Sequence, residues 1–381
     1  MARRIVGVMS GERRLGAPRI LIVSADIGAG HDLPARLLAD GLRAAHPGAE
    51  VTVVDGLVEM GPLVLAVVRS GSETILQRLR PLFELQYWLI AHFGPTQRLM
   101  SRLARRVGGP PLLRLVARVR PDVVVSTYPG TTEILGVLRR EGRLRVPVVS
   151  AITDLAALRY WAHPGVDLHL IIHAESAAEV AAIAGTGARV RHVRGLSRPE
   201  FEHPPAAALA RAALGLPSGG PIVAISGGGW GIGDLAEAVE VALELPDTTV
   251  VCLCGTNDAL RTRLAGRPRV RAEGFTDRIC EWLSAADVLV HSTAGLTVLE
   301  AQMCATWAIS YGWGVAHVRA NNRAYTRFGL ADVATTPDEL RAALHRRLRT
   351  PRPVDRTFAA LPSAADAVLE LIDAPRRRRA A

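Results

Sequence analysis

The hydrophobic pattern of this chain repeats one unit: a short apolar run, a few small or hydroxylated residues, then a stretch with helical spacing. Arg19-Ile-Leu-Ile-Val-Ser24 leads through Ala25-Asp-Ile-Gly-Ala-Gly-His-Asp32 into a helical pattern over 33–45, and Glu50-Val-Thr-Val-Val-Asp55 follows. Apolar runs without polar alternation are what strands need when helices cover both faces of their sheet, so the pattern predicts parallel βαβ units. Further strands are predicted at 121–127, 146–154, 167–173 and 190–196, with a helix over 131–140. The rhythm breaks at Gly195-Leu-Ser-Arg-Pro-Glu-Phe201 and His203-Pro-Pro205, which read as a linker. It restarts with Pro221-Ile-Val-Ala-Ile-Ser226, a glycine turn over 227–233, a helix over 235–245 and a strand over 248–254. At 288–301, Val288-Leu-Val290 runs into His291-Ser-Thr-Ala-Gly295 and then a helical pattern carrying Glu300. The predicted fold class is α/β: two Rossmann-like doubly wound domains facing a central cleft, over 1–199 and 200–355, then a C-terminal helix and basic tail over 356–381.

Composition changes the picture only modestly. A length of 381 residues, 49% hydrophobic and 22% charged, suits two globular cores. The net charge of +10 rests on 46 basic residues, all of them arginine. Arginine's planar fork suits phosphates and anionic headgroups, although a GC-rich genome produces the same usage. The charge therefore permits an anionic membrane surface or a nucleotide, and no nucleic-acid-binding module is visible. Cys252, Cys254, Cys280 and Cys304 lack metal-ligand spacing and read as buried thiols of a reducing cytoplasm. Met1 to Leu15 is arginine-rich with no apolar core behind it, so no signal peptide is expected. No apolar run reaches the roughly 18 residues that cross a bilayer. The expectation is a soluble protein or one attached to a membrane face.

Residues 57–107 depart from the α/β rhythm. Phe83, Tyr87, Trp88 and Phe93 cluster just before Arg98, Arg102, Arg105 and Arg106. Aromatics beside arginines are the components of an interfacial membrane segment, which predicts membrane contact through Phe83, Trp88 and Phe93. Helices packed on the first domain are the alternative.

Both halves place a small-residue turn at the carboxyl end of a strand, where open parallel sheets bind ligands. Gly28 and Gly30 let a ligand approach the backbone, and His31 and Asp26 stand beside them; an imidazole there can take a proton from a hydroxyl nucleophile or merely cap the helix. Asp154 ends a strand of the same half, as a base, an orienter for His31 or a structural cap. In the second half, the helix amides after Thr293-Ala-Gly295 carry the partial positive charge that holds a diphosphate. Glu300 can accept from ribose hydroxyls, or be a solvated side chain after an ordinary loop. Gly227-Gly-Gly-Trp-Gly-Ile-Gly233 is a second phosphate-type turn but not a P-loop, since the Lys-Ser/Thr pair is missing.

These residues, in this order, resemble the GT-B glycosyltransferases of the monogalactosyldiacylglycerol synthase and processive diacylglycerol glucosyltransferase group, whose wider relatives include the lipid II N-acetylglucosaminyltransferase. The resemblance rests on Ser24-Ala-Asp-Ile-Gly-Ala-Gly-His31, Ile152-Thr-Asp154 with Trp161 and Asp167, Gly195-Leu-Ser-Arg-Pro199, Ser226-Gly-Gly-Gly229, Cys254-Gly-Thr-Asn257, Glu273-Gly-Phe-Thr276 and Ala294-Gly-Leu-Thr-Val-Leu-Glu-Ala301. It implies that His31 acts at the acceptor hydroxyl or the reaction centre, with Asp26 and Asp154 nearby. Arg198, Gly228 and Gly229 would hold the donor diphosphate beside Thr293, Ala294 and Gly295. Phe275 and Thr276 would cover the uracil, Glu300 would bind ribose, and Asn257, His317 and Asn321 would complete the donor site. The implied reaction is an inverting transfer of a hexose from a UDP-sugar to a lipid such as diacylglycerol, on the cytoplasmic face of the membrane. Arginine and helix dipoles would take the developing charge, so no metal or cofactor is called for.

The chain departs from that group at two segments. His291-Ser-Thr-Ala-Gly295 stands where relatives carry Thr-Lys-x-Gly-Gly, and Gly314-Val-Ala-His-Val-Arg-Ala-Asn321 stands where they carry Pro-Gly-Gln-Glu followed by Asn. His317 thus falls at the sugar-reading Gln and Val318 at the carboxylate, which removes polar partners from the hexose. A soluble natural-product acceptor and a non-catalytic nucleotide-sugar or lipid binder are the competing functions.

Overall fold

The computed structural model describes residues 17–26, 29–66, 68, 94–312, 316–352 and 358–380. Two six-stranded sheets organise the chain, and every adjacent pair of strands is parallel. The first lobe runs β1 (Arg19–Ser24), α1 (Ala29–Ala45), β2 (Glu50–Asp55), α2 (Gly56–Met60), α3 (Pro62–Leu65), α4 (Gly94–Val119), β3 (Val123–Ser126), α5 (Pro129–Arg140), β4 (Val148–Ile152), β5 (Leu168–Ile171), α6 (Ala177–Ala184) and β6 (Val190–His192). Its strand order is β2-β1-β3-β4-β5-β6. After the linker come α7 (Ala207–Leu214), β7 (Ile222–Ser226), α8 (Leu235–Leu243), β8 (Thr249–Leu253), α9 (Asp258–Leu264), β9 (Val270–Glu273), α10 (Ile279–Ala285), β10 (Val288–His291), α11 (Gly295–Met303), β11 (Trp307–Tyr311), α12 (Ala316–Phe328), β12 (Asp332–Ala334), α13 (Pro337–Leu348) and α14 (Ala364–Ala380).

The second sheet is ordered β12-β11-β10-β7-β8-β9. The order reverses at β7, so the loops after β7 and β10 diverge to opposite faces and leave a crevice between them. In the first sheet the same reversal falls between β1 and β3. The apolar runs form these strands because both their faces are covered: Ile20 to Val23, Val123 to Val125 and Val288 to Leu289 have no exposed surface. Each such side chain stabilises by roughly 1.5–3 kcal/mol relative to an exposed position.

One apolar cluster crosses from lobe to lobe, running from Ile22 and Val125 through Leu196 and Phe201 to Leu289 and Val298. Phe201, 1% exposed, anchors the linker within it. The same cluster takes in Ala364, Val368 and Leu371 of α14. That helix returns to the first lobe, where Ala365 meets α1 at Gly41 and Glu370 pairs with Arg191. Its amphipathic pattern marks a buried face without saying which lobe supplies the partner. Arg376 to Arg379, which the sequence suggests as an exposed tail, continue α14 as helix. All four cysteines are buried and free, in two contacting pairs, Cys252 with Cys254 and Cys280 with Cys304.

Among the described residues no helix is long and apolar enough to cross a membrane. Phe83, Trp88 and Phe93 lie outside the described residues. The arginines that follow them are on α4, which packs against α2 and α5. Leu99, Leu103 and Val107 form an exposed stripe at successive turns of α4, flanked by exposed Arg98, Arg102 and Arg106. Arg105 pairs with Glu141, just after α5.

Candidate functional site

In the first lobe the site is built on the carboxyl ends of β1, β3 and β4. The sequence suggests a loop up to Asp32, whereas α1 begins at Ala29 and His31 occupies its first turn. The His31 Nδ1 lies 3.1 Å from the Thr127 carbonyl. A carbonyl only accepts, so Nδ1 carries the proton and Nε2 is the proton-accepting nitrogen. The rings of Tyr128 and Trp161 flank the imidazole at centroid distances of 5.2 and 5.6 Å. Trp161 donates its indole N–H to Asp154 Oδ2 at 2.9 Å, so it joins His31 to Asp154. Asp26 is exposed after β1, and its backbone N–H reaches Asp55 Oδ2 at 3.3 Å. Gly28 lies outside the described residues, and the Gly30 carbonyl accepts from the Thr153 hydroxyl at 3.3 Å.

In the second lobe three turns converge at the reversal of the sheet. Gly228, with φ at +69°, takes the left-handed conformation, and a Cβ there would lie 3.1 Å from the Thr293 methyl. A Cβ on Gly229 would lie 3.7 Å from the Phe275 ring, which is 64% exposed. An exposed aromatic face beside glycine backbone is a platform for a planar ring. Thr276 accepts from the Arg278 backbone N–H at 3.1 Å and so shapes the Phe275 turn. Ala294 begins α11 without a side-chain cap, which leaves the helix amides to meet a ligand. His291, at the end of β10, accepts the Thr293 backbone N–H on Nδ1 at 3.3 Å, and burial lowers its pKa to about 4, so the ring is neutral.

Several residues expected at the donor site carry internal bonds. Asn257 caps α9, accepting from the Leu260 N–H at 3.0 Å, and donates to the Gly231 carbonyl at 3.1 Å, bracing the glycine turn. Asn321, with no exposed surface, bonds to the loop after β4 in the other lobe. His317 lies in the first turn of α12, and its side chain is outside the described residues. Arg198 pairs with Asp277 at 3.2 Å. Glu300 is only 8% exposed and accepts from the Ser197 hydroxyl at 3.0 Å. Burial pushes its carboxyl up to about 7, against the opposing pull of Ser197 and Arg198. A cleft of about 560 Å³ beside these turns opens between the starts of α8 and α9 and is lined by Asp234, Glu237, Asn257 and Arg263.

The lobes meet where these turns are. A Cβ on Gly295 would lie 2.2 Å from the Thr153 carbonyl and 3.0 Å from the Asp154 Cα, so only glycine lets α11 abut the end of β4. His173 donates from Nε2 to the Gly295 carbonyl at 3.0 Å, which ties the same point to β5. Sequence reasoning passed over Ser197 and His173, because nothing local marks a side chain that works across a seam. Among the described residues no group of three or more His, Cys, Asp or Glu side chains could hold a metal ion.

Residues 31–193 match the family model described as monogalactosyldiacylglycerol (MGDG) synthase. A probable monogalactosyldiacylglycerol synthase 2, chloroplastic, of Oryza sativa subsp. indica is 28% identical over 316 residues, covering 76% of this chain and 65% of the rice protein. The chain thus spans less than two thirds of the length of that relative. A processive diacylglycerol beta-glucosyltransferase of Bacillus cereus (strain AH187) is 24% identical over 338 residues, 85% of this chain and 84% of that one. The spinosyn rhamnosyltransferase SpnG complexed with thymidine diphosphate superposes with a TM-score of 0.57 at 18% identity, covering 93% of this chain and 99% of that one. The fold is GT-B, and the chain is related to glycosyltransferases of glycolipid synthesis.

Proposed function

We propose that this chain is an inverting glycosyltransferase that moves a hexose from a UDP-sugar to diacylglycerol or a similar lipid at the cytoplasmic face of the membrane. The observation that carries the proposal is the meeting of both functional turns on one strand end: Thr153 bonds to Gly30 beside His31, and its own carbonyl touches Gly295 at the start of α11. The acceptor hydroxyl gives its proton to His31 Nε2 as its oxygen bonds to the anomeric carbon. The bond from that carbon to the diphosphate oxygen breaks on the opposite side, and UDP departs with its electron pair. The uncapped amides of α11 and the Arg198 guanidinium face the charge that develops there.

The names of the rice and Bacillus relatives support a diacylglycerol acceptor, and the thymidine diphosphate complex of a protein with the same fold supports a nucleoside diphosphate as part of the donor. The Leu99, Leu103 and Val107 stripe between arginines supports contact with an anionic bilayer. The test is UDP release from a panel of UDP-hexoses with diacylglycerol in anionic vesicles. Absence of UDP release from every donor overturns the activity. Release without co-flotation of the protein with the vesicles overturns the lipid acceptor in favour of a soluble one.

A further inference from the structure

We propose that Asn321 and Tyr325, one turn apart on α12 of the second lobe, are positioning residues for Asp154 of the first, an assignment that rests on the transfer reaction proposed above. The Asn321 Oδ1 accepts from the backbone N–H of Leu155 at 2.9 Å and of Ala156 at 3.3 Å. It caps from across the seam the turn that presents Asp154. The opposite side of that turn is held from within the first lobe, where the Ser176 hydroxyl donates to the Leu155 carbonyl at 3.1 Å. The Asp154 loop is therefore complete only when the lobes are together. With two backbone amides on its carbonyl oxygen, Asn321 serves this turn rather than reading a hexose through that atom.

Tyr325 lies four residues further along α12. It has no exposed surface, and its buried hydroxyl has no hydrogen-bond partner among the described residues. An unsatisfied buried hydroxyl costs stability, which phenylalanine in the same space would avoid. The carboxylate close enough to act on this phenol is Asp154, whose charge adds to burial in raising the phenol's pKa. One Asp154 oxygen already takes the Trp161 indole N–H, and the other is an acceptor. As the lobes tighten, the phenol donates to that carboxylate and fixes it opposite His31.

Two variants and two readouts test this. In Asn321→Ala, hydrogen exchange at the Leu155 and Ala156 amides is expected to quicken at least about tenfold, the loss of a hydrogen bond in a buried turn. Its choice among UDP-hexoses is expected to stay that of the wild type. Tyr325→Phe is expected to unfold at an equal or higher temperature, while kcat falls about tenfold or more and the KM for the donor holds. Unchanged exchange in Asn321→Ala, or an altered hexose preference, overturns the role of Asn321. Unchanged kcat in Tyr325→Phe overturns that of Tyr325 and leaves it a core residue. If the wild type releases no UDP from any donor, the transfer reaction itself fails, and the exchange measurement still decides whether Asn321 holds the turn.

Discussion

Glu300→Gln should make the protein more stable and less able to bind nucleotide, and the stability gain should depend on pH. Burial raises the Glu300 carboxyl from its ordinary 4.5 to about 7. Below pH 4.5 both the folded and the unfolded chain hold the proton, and the residue costs nothing. Between 4.5 and 7 the unfolded chain releases it while the folded chain retains it, so stability falls as pH rises. Above 7 the folded state carries the whole cost, about 3 kcal/mol at 1.36 kcal/mol per pH unit. Glutamine has the same shape, keeps an oxygen for the Ser197 hydroxyl 3.0 Å away, and has no charge to desolvate. At pH 8 the variant should therefore unfold on the order of 4 °C higher than the wild type, and the difference should shrink toward zero near pH 4.5. UDP affinity, measured by titration calorimetry at pH 8, should fall about 10- to 100-fold, because a hydrogen bond to a charged acceptor contributes about 1.5–3 kcal/mol. A variant that is no more stable at pH 8, or a stability difference that does not vary with pH, would refute the burial argument. Unchanged UDP affinity would refute the placement of ribose at Glu300.

His31→Ala should lower kcat by about 10²- to 10⁴-fold while UDP binding stays within a factor of two or so, since general-base catalysis supplies that range and the imidazole belongs to the other lobe; single-turnover UDP release beside calorimetry separates the two. Phe275→Ala should weaken UDP by roughly 1–3 kcal/mol, the usual contribution of one base stacked on one ring, with kcat at saturation preserved. Acidification should unfold the protein well before its carboxylates are titrated. Burial lowers His163, His169 and His291 each to about 4, so the unfolded chain takes up protons from 6.5 downward while the folded chain does not. Each of the three then removes about 2 kcal/mol of stability at pH 5, fully absent above 6.5, which denaturant titrations from pH 8 to 5 would read directly. The Glu300→Gln comparison is made within one pH at a time, so this common loss cancels from it.

The features legible in the sequence are those that a few consecutive residues decide. A parallel strand covered on both faces must be apolar throughout, so Ile20 to Val23, Ile222 to Ile225 and Val288 to Val290 announce themselves, and the small residues after them follow from backbone that must bend tightly at a strand end. Even Gly295 is legible as a turn residue, although its reason is the Thr153 carbonyl of the other lobe, which a Cβ would strike. The remainder of the site depends on which surfaces meet, and no local pattern encodes that. Glu300 reads as an exposed carboxylate ready for ribose until Ser197 from the linker closes over it. Asn321 reads as one more donor-site amide until its oxygen is found on Leu155 and Ala156. Trp161 is a motif residue whose use appears only when its ring lies against His31 and its N–H on Asp154. In each case the sequence supplies the right chemical group and a tertiary contact assigns its work, across the seam for Asn321, through the linker for Glu300 and within the first lobe for Trp161.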